Sequence, residues 1–299
     1  MKPLWYNSST ALKLNQFSLN IADFSIKLYS ESEIDLEEGY LSFLSNTQNH
    51  DTTIECFSDI NSPIFENKNL VFEAANEIQK FYSIYKFKTD LGFVIYNQQN
   101  INEVQQTAIL SKNFKHWQIF AKPDEKGNLN PLRYPMGPII MQYLTVKSEA
   151  VMIHASCVFD GEKGRIFTGF SGTGKSTISQ IWSEAGNQVI NDDRLIIRKT
   201  DTGYFVYNTP MYYRDSPKKA PLNSIFLISH YPENKIKKLT GAIAVSKVLA
   251  FCIQNNFDRF FIQNNLDFLT ALSTQIAVYE LGFVPNSSVV DYVLSNETV

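Results

Sequence analysis

Alternation of apolar and polar residues predicts β-strands along most of the N-terminal part of the chain. In one segment Phe24, Ile26 and Leu28 alternate with polar neighbours, the period of a strand with one buried face. Short runs of branched and aromatic residues predict further strands at 52–57, 92–96, 105–110 and 116–122. The stretch 74–85 is predicted as a helix, because its apolar residues recur at helical spacing, at Ile78, Phe81, Tyr82 and Tyr85. We therefore expect residues 1–145 to form a strand-rich region.

Residues 146–299 combine short apolar strands with helical stripes, which predicts an α/β (α+β) domain. Asp160–Gly164 has hairpin-turn composition, so strand 150–159 is expected to pair antiparallel with 165–168. Other predicted strands lie at 188–190, 195–199, 204–207, 223–229 and 275–283. Helices are predicted to begin at Pro138, after Ser176 and near 286–287. Two further helices are predicted at 242–254 and 266–274. We expect the C-terminal helices to cover the other edge of this sheet and residues 1–145 to add strands beside it.

The composition of the chain limits the classes of protein to which it can belong. The 299 residues are 44% hydrophobic and 13% aromatic, enough to bury a sizeable core. A net charge of −3 gives no electrostatic footprint for nucleic acid. No apolar run approaches the roughly 18 residues of a membrane span. Three cysteines lie far apart with no C-x-x-C pair, which argues against a disulfide framework or a zinc site, and these observations together favour a cytoplasmic protein.

The segment Gly169–Ser176, GFSGTGKS, fits the Walker A phosphate-loop pattern G-x-x-x-x-G-K-[ST] at every fixed position. Glycines let the backbone turn so that successive N–H groups point at anionic oxygens. Lys175 places a positive charge beside the β- and γ-phosphates, and the Ser176 hydroxyl can ligate Mg²⁺. The residues predicted to bind the nucleotide are Gly169, Ser171, Gly172, Thr173, Gly174, Lys175, Ser176 and Thr177.

The context of this loop supports a phosphate site. A short apolar strand precedes it, and Ile178, Ile181 and Trp182 form a helical stripe after it, so the loop opens a helix whose N-terminus favours negative charge. The alternative of an ordinary glycine-rich turn does not account for this strand–loop–helix order. A hydrolase nucleophile elbow is excluded, because G-x-S-x-G around Ser171 would need glycine where Thr173 stands.

Two further motifs are placed to complete the site. Asp192 and Asp193 end a short apolar strand, and a strand–loop–helix–strand unit can return them beside the phosphates. Strand alternation would point the two carboxylates in opposite directions, so one can hold Mg²⁺ while the other faces an acceptor hydroxyl. His154 lies in the strand that pairs with the one feeding the loop, which would place it near the loop's mouth. Structural roles for the aspartate pair and for His154 stay open.

The three motifs Ile153–Ser156, Gly169–Ser176 and Asn191–Arg194 resemble, in order and separation, the core of the HPr kinase/phosphorylase family. That family belongs to the phosphoenolpyruvate-carboxykinase-like group, whose phosphate loop lies on a mixed, largely antiparallel sheet with flanking helices. The resemblance is strong over about 150–230 and loose over 230–299. It implies that Asp192 accepts the acceptor-hydroxyl proton and forms a proton-handling pair with His154. It also implies that Ser176 and Asp193 hold Mg²⁺ and that Lys175 binds the phosphates.

The chain departs from the family at two places. Thr177 stands where the family has a glutamate, and the segment Met211–Asp215 stands near where bifunctional members carry an Arg-Gly-rich signature. These departures argue against phosphorylase activity and against HPr itself as the substrate.

The first functional hypothesis is an ATP- and Mg²⁺-dependent kinase that phosphorylates a serine-type hydroxyl of a protein or peptide. The alternatives are a nucleotide-binding regulatory module without phosphotransfer and a small-molecule kinase. An ABC-type or motor ATPase fits less well, since no apolar strand ends in Asp-Glu and the sequence Leu-Ser-Gly-Gly-Gln is missing. Nucleic acid and membrane partners are not expected, and homo-oligomerisation stays open.

Overall fold

The computed structural model describes residues 15–59, 68–87, 89–97, 99–100, 103–146, 148–254 and 256–297. The chain divides into two compact units. Unit 1 takes most of the chain up to Gly137. Unit 2 takes the chain from Pro138 onward together with two short segments, 20–24 and 38–43. Within the described residues, no helix combines the length and the apolar character that crossing a membrane requires.

Unit 1 is built on one sheet that has eight strands in the described part of the chain, in the order β1-β2-β3-β8-β7-β6-β5-β4. Its strands β2, β3 and β8 pair in parallel, whereas β4 to β8 form an antiparallel meander. All of the strands predicted in this region are confirmed. The bounds are β1 Asn15–Ile21, β2 Phe24–Ser30, β3 Thr52–Phe57, β4 Asn69–Ala75, β5 Lys80–Phe87, β6 Asp90–Tyr96, β7 Val104–Leu110 and β8 His116–Ala121.

The predicted helix at 74–85 is wrong. Those residues form the end of β4, a tight turn and the first part of β5, which pair antiparallel. The Asn76 side chain accepts hydrogen bonds from the backbone N–H groups of Ile78 and Gln79, so an Asx turn reverses the chain where the helical pattern would continue. Ile78, which suggested the helical stripe, is 76% exposed at this turn. Pairing with the neighbouring strands outweighed a short apolar periodicity.

Unit 2 contains a mixed sheet in the order β10-β9-β12-β13-β14-β16-β15, with β11 paired to β9. Only β10–β14 and β14–β16 are parallel among the pairings described, which confirms the predicted mixed, largely antiparallel architecture with flanking helices. The strands are β9 Ala150–Phe159, β10 Gly164–Thr168, β11 Gln188–Asn191, β12 Arg194–Thr200, β13 Gly203–Asn208, β14 Lys219–His230, β15 Lys235–Leu239 and β16 Ala277–Phe283. The helices are α1 Glu38–Leu41, α2 Met136–Leu144, α3 Lys175–Glu184, α4 Gly241–Leu249, α5 Arg259–Ser273 and α6 Ser288–Asn296.

Helices cover both faces of the unit 2 sheet. One apolar cluster joins α4 and α5 to the strands through Val245, Val248 and Leu269, and a second joins α3 and α6 through Trp182 and Val293. Two expectations are therefore corrected. The C-terminal helices do not gather at one edge, because successive strand residues alternate between faces and leave an apolar surface on each. The N-terminal strands do not extend this sheet but build the separate sheet of unit 1.

The hairpin that leads into the phosphate loop is confirmed. Strands β9 and β10 pair antiparallel, with Thr168 opposite Ala155 and Gly164 opposite Phe159. All five residues of β10 are buried. The buried Ser156 hydroxyl donates to the Lys175 carbonyl at 3.1 Å and thereby ties the first turn of α3 to β9. The loop consequently begins at the buried strand β10 and ends at α3, which is hydrogen-bonded to β9.

Candidate active site

The phosphate loop fills the connection between the end of β10 and the start of α3. Gly172 and Gly174 have φ values of +81° and +93°, a backbone region that residues with a Cβ rarely adopt. Gly169 is required by close approach instead, since a Cβ there would lie 2.7 Å from Thr173 Oγ1 and 2.9 Å from the Ile228 carbonyl oxygen. The Thr173 hydroxyl donates to the Phe170 carbonyl at 2.8 Å and closes the loop. Each of these three glycines thus stands where a positive φ or a close contact disfavours a residue with a Cβ.

Lys175 points back over the loop that precedes it. Its ammonium donates to the carbonyl oxygens of Gly169 at 3.0 Å and Phe170 at 3.2 Å. The residue is buried, and this burial lowers the pKa of the lysine, while the negative charge of Asp193 acts to raise it. A lysine held in this position could bind phosphate oxygens by exchanging its carbonyl partners for them.

A cleft of about 590 Å³ opens beside the loop. It brings together most of the residues predicted from sequence, namely His154, Ser171, Gly172, Gly174, Lys175, Ser176, Thr177, Asp192 and Asp193. The predicted loop residues Gly169 and Thr173 do not line this cleft but border a second cavity, of about 730 Å³. The loop therefore separates two concave regions.

The two aspartates lie in the short connection between β11 and β12, outside either strand. The expectation that strand alternation would separate them is therefore wrong, and both reach the same cleft. The backbone N–H of Asp193 donates to the Asn191 side chain at 2.8 Å, which fixes this connection. The negative charge of Asp193 acts to raise the pKa of Lys175, and both aspartates help to raise the pKa of Tyr213, after the larger effect of that tyrosine's burial. Both carboxylates thus act on groups of one cleft.

His154 contacts Asp193, and the pairing of His154 with Asp192 that the resemblance implies stays a prediction. Its Nδ1 lies 3.2 Å from Asp193 Oδ1, and Arg194 Nη2 lies 2.8 Å from the other oxygen, Oδ2. Hydrogen bonding to His154, followed by the charge of Arg194, holds the pKa of the Asp193 carboxyl below its usual range. Among the described residues, no hydrogen bond or ion pair engages the Asp192 carboxylate. His154 is the one exposed residue of β9. The other residues of this strand are buried, except the last, which is partly buried.

Sequence reasoning missed part of the cleft wall. Met211, Tyr212, Tyr213 and His230 also line it. Tyr212 is 84% exposed and meets Tyr213 edge to face, with ring centroids 5.0 Å apart. His230 ends β14 and packs on Phe283, beside the position that a Cβ on Gly174 would occupy. The parallel pairing of β10 with β14 carries His230 to the loop, and a pairing between distant segments leaves no local sequence signal.

The second cavity has a more apolar and aromatic wall. Phe170, which is 73% exposed, meets Phe251 edge to face with ring centroids 5.1 Å apart. Tyr231 lies at the same cavity together with Lys235, Lys237 and an ion pair between Lys247 and Glu280. This combination offers flat apolar surface next to positive charge, at the back of the phosphate loop.

The donor set of the cleft fits a nucleotide-bound Mg²⁺ better than a metal held by protein alone. Among the described residues, no group of three or more histidine, cysteine, aspartate or glutamate side chains is arranged to hold a metal. Mg²⁺ bound with a nucleotide uses one or two carboxylates and keeps waters and phosphate oxygens as its other ligands. Ser176 and the two aspartates in the cleft match that requirement.

Comparison with known proteins gives two findings. The family model of phosphoenolpyruvate carboxykinase matches residues 138–215. Among solved structures, the HPr(Ser) kinase/phosphatase from Coxiella burnetii matches with 10% sequence identity and a TM-score of 0.29, covering 49% of this chain and 95% of that chain. That score is too low to support an argument about function. None of the curated proteins matches the chain. Over residues 138–215, which include the phosphate loop and both aspartates, the chain is similar to phosphoenolpyruvate carboxykinase, and the resemblance predicted from its motifs is confirmed for that segment.

Proposed function

We propose that the chain is an ATP- and Mg²⁺-dependent kinase that transfers the γ-phosphate to a serine-type hydroxyl of a protein or peptide. The observation that carries this proposal is the convergence of Lys175, Ser176, Asp192, Asp193 and His154 on one open cleft. Phosphoryl transfer depends mainly on positioning and on neutralising charge, and these residues supply both. Bound Mg²⁺ would neutralise charge that develops on the phosphate oxygens.

Asp192 is the better candidate for the base that receives the proton of the acceptor hydroxyl. It lines the cleft, and it has no hydrogen-bond or ion-pair partner among the described residues. Asp193 and Ser176 would hold Mg²⁺, and Asp193 must then exchange its contact with His154 or Arg194 for the metal. His154 would orient Asp193 in the free enzyme. Exposed Tyr212 gives the acceptor an aromatic surface at the mouth.

The second cavity would receive the nucleoside part of the donor. Phe170 and Phe251 offer ring surfaces for a base, and the cavity borders the loop at Gly169 and Thr173. Phe251→Ala should weaken ATP binding about tenfold while leaving tripolyphosphate binding unchanged, since base stacking is worth about 1–3 kcal/mol. Equal losses for both ligands would show that the cavity does not hold the base.

The central test compares nucleotide binding with phosphoryl transfer in two variants. Lys175→Ala should abolish ATP binding in calorimetry, because the loop loses its cation. Asp192→Asn should keep ATP affinity within about twofold and lower transfer by two orders of magnitude or more, the usual effect of a missing general base. Transfer is measured as ADP release and as the mass gain of one phosphoryl group on peptides with free serine residues.

Asp201→Asn, in the exposed turn between β12 and β13, is the matched control and should behave like the wild type. Full transfer by Asp192→Asn would remove Asp192 as the base. ATP binding without ADP release under any acceptor would favour a regulatory nucleotide-binding module. ADP release with a metabolite extract and none with peptides would favour a small-molecule kinase.

A further inference from the structure

His230 is the last residue of β14, and it lies at the sheet edge from which the phosphate loop starts. Strand β14 runs parallel to β10, and Thr168, the last residue of β10, pairs with Leu227. Strand β14 therefore continues alongside the start of the loop, through Ile228, Ser229 and His230. In sheets with parallel strands, ligands bind outside the carboxyl ends of those strands, which is where this histidine lies.

The ring of His230 is held between a buried side chain and the phosphate loop. Phe283, which is fully buried, pairs with His230 across β14 and β16, and the two ring centroids are 5.4 Å apart. On the loop side, a Cβ built on Gly174 would lie 3.2 Å from His230 Cε1 and 3.5 Å from Nε2. The ring therefore has its Cε1–Nε2 edge beside the last glycine of the loop. The residue is nevertheless exposed, and it lines the same cleft as Lys175 and Ser176.

The wall of this cleft has few cationic groups for a polyphosphate. Among the described residues, Lys175 is the only lysine or arginine that lines it, against the two carboxylates of Asp192 and Asp193. The other histidine of the cleft, His154, contacts Asp193. Phosphoryl transfer depends on neutralising the charge of the phosphate oxygens, by the metal and by hydrogen-bond donors fixed in place. A second donor beside Lys175 would meet that requirement.

His230 has its donor capacity unused. Within the part of the chain that the structure describes, no hydrogen bond or ion pair engages its ring nitrogens. The neutral ring carries one N–H group and the imidazolium carries two, so the ring can donate in either protonation state. The N–H groups of a Walker A loop cradle the phosphates, so a donor beside Gly174 adjoins the place where they bind.

We infer that His230 donates a hydrogen bond to the polyphosphate chain of the nucleotide, as a second donor beside Lys175. The inference rests on the proposed nucleotide site and adds to it a phosphate-binding residue from outside the Walker A motif. Because the contact is to phosphate, it is independent of the base and of the acceptor.

The test measures binding of Mg²⁺-ATP and of tripolyphosphate to the full chain by calorimetry. His230→Leu keeps an apolar side chain against Phe283 but removes the donor, so both ligands should bind about tenfold more weakly or worse, the effect of one lost hydrogen bond to a charged group. His230→Gln should stay within about threefold of the wild type, because its amide can still donate. Phe251→Ala gives the opposite pattern, since it should weaken ATP binding alone.

His50→Leu, in unit 1, is the matched control and should bind both ligands as the wild type does. Unchanged tripolyphosphate binding in His230→Leu, or a loss for ATP alone, would overturn the inference. Equal losses in His230→Leu and His230→Gln would also overturn it, since the ring would then act through its packing on Phe283. Binding of neither ligand to the wild type would refute the nucleotide site itself, whereas nucleotide binding without transfer would remove the kinase proposal and leave the role of His230 intact.

Discussion

Gly174 shows how one residue joins backbone conformation, packing and function in the phosphate loop. Its φ of +93° requires glycine, and it is the residue from which α3 begins. A Cβ at this position would lie 3.0 Å from the Phe283 ring and 3.2 Å from the His230 ring. Any other residue would strain the backbone and displace the two rings that support the loop.

Gly174→Ala is therefore expected to lose nucleotide binding and to lower the free energy of unfolding by more than the roughly 1–2 kcal/mol that a left-handed conformation costs. Gly127→Ala is the matched control, because Gly127 has a similar φ of +87° and no atom within 4 Å of the added Cβ. That control should show the backbone cost alone and keep full ATP affinity. Urea unfolding and ATP calorimetry on both variants make the comparison, and equal ATP affinity in the two would contradict it.

At the scale of the element, the largest buried side chain of α3 is that of Trp182. Trp182 is fully buried between Phe167, whose ring centroid lies 5.8 Å away, and the Arg165 guanidinium, 5.2 Å away. Ile181, the residue before Trp182, is only partly buried. Ile178 is fully buried in the same apolar cluster, so α3 is held to the sheet through Ile178 and the larger Trp182.

Trp182→Ala should lower the free energy of unfolding by about 3–5 kcal/mol, the usual cost of emptying a core aromatic site. Ile181→Ala, on the same turn, should cost clearly less because part of its side chain already contacts water. Denaturant unfolding followed by circular dichroism gives both values. A smaller loss for Trp182→Ala than for Ile181→Ala would contradict this account of how α3 is anchored.

The end of α6 is fixed by a buried ion pair. Arg165 and Glu297 have side chains that are 2% and 3% exposed, and Arg165 Nη2 lies 2.8 Å from Glu297 Oε2. Glu297 also accepts hydrogen bonds from the side chains of Asn223 and Ser224, on β14. Asp160 pairs with the same arginine at 2.6 Å and thereby adds the β9–β10 turn to this network.

Glu297→Gln is expected to lower the free energy of unfolding by about 1.5–3 kcal/mol, because the buried arginine loses one of its two carboxylate partners and keeps Asp160. Asp291→Asn, exposed on the same helix, serves as the control and should change it by less than about 0.5 kcal/mol. Thermal and urea unfolding supply the comparison. Similar stability in both variants would show that the network does not hold the helix.

At the scale of the whole molecule, buried cysteines report on each unit separately. Cys56 lies in unit 1, and Cys157 and Cys252 lie in unit 2, all free and buried. Burial raises the pKa of Cys56 and of Cys252 to about 12, and it raises that of Cys157 further. At pH 8 the thiolate fraction of each is therefore far below that of an ordinary thiol, whose pKa is about 8.5.

Alkylation at pH 8 should therefore be slow in the native chain and should follow unfolding of the unit that contains each cysteine. Mass spectrometry of digested samples, labelled across a urea series, measures the three sites independently. The midpoint for Cys157 should coincide with that for Cys252 because both lie in one apolar cluster. Rapid labelling of any site in the native protein, or different midpoints for these two, would contradict the prediction.

The sequence by itself determined the local features of the fold and of the site. The glycines of Gly169–Ser176 predict a tight loop between a strand and a helix, and the positive φ values of Gly172 and Gly174 match that prediction. The hairpin at Asp160–Gly164 and the strands at 52–57 and 150–159 follow from turn chemistry and short-range alternation. The helix predicted at 74–85 was wrong, because the helical spacing of a few apolar residues is a weak signal. Pairing with the neighbouring strands decided that these residues form β4, a turn and β5.

Only the tertiary structure decided which distant residues meet. The parallel pairing of β10 with β14 brings His230 to the loop. The connection after β11 places both aspartates at one cleft, where His154 contacts Asp193. The separate sheet of unit 1 likewise follows from long-range strand pairing. Such contacts depend on the packing of the whole domain, whereas turns and loops depend on neighbouring residues. Turns and loops can therefore be predicted from the sequence far more directly than contacts between distant residues.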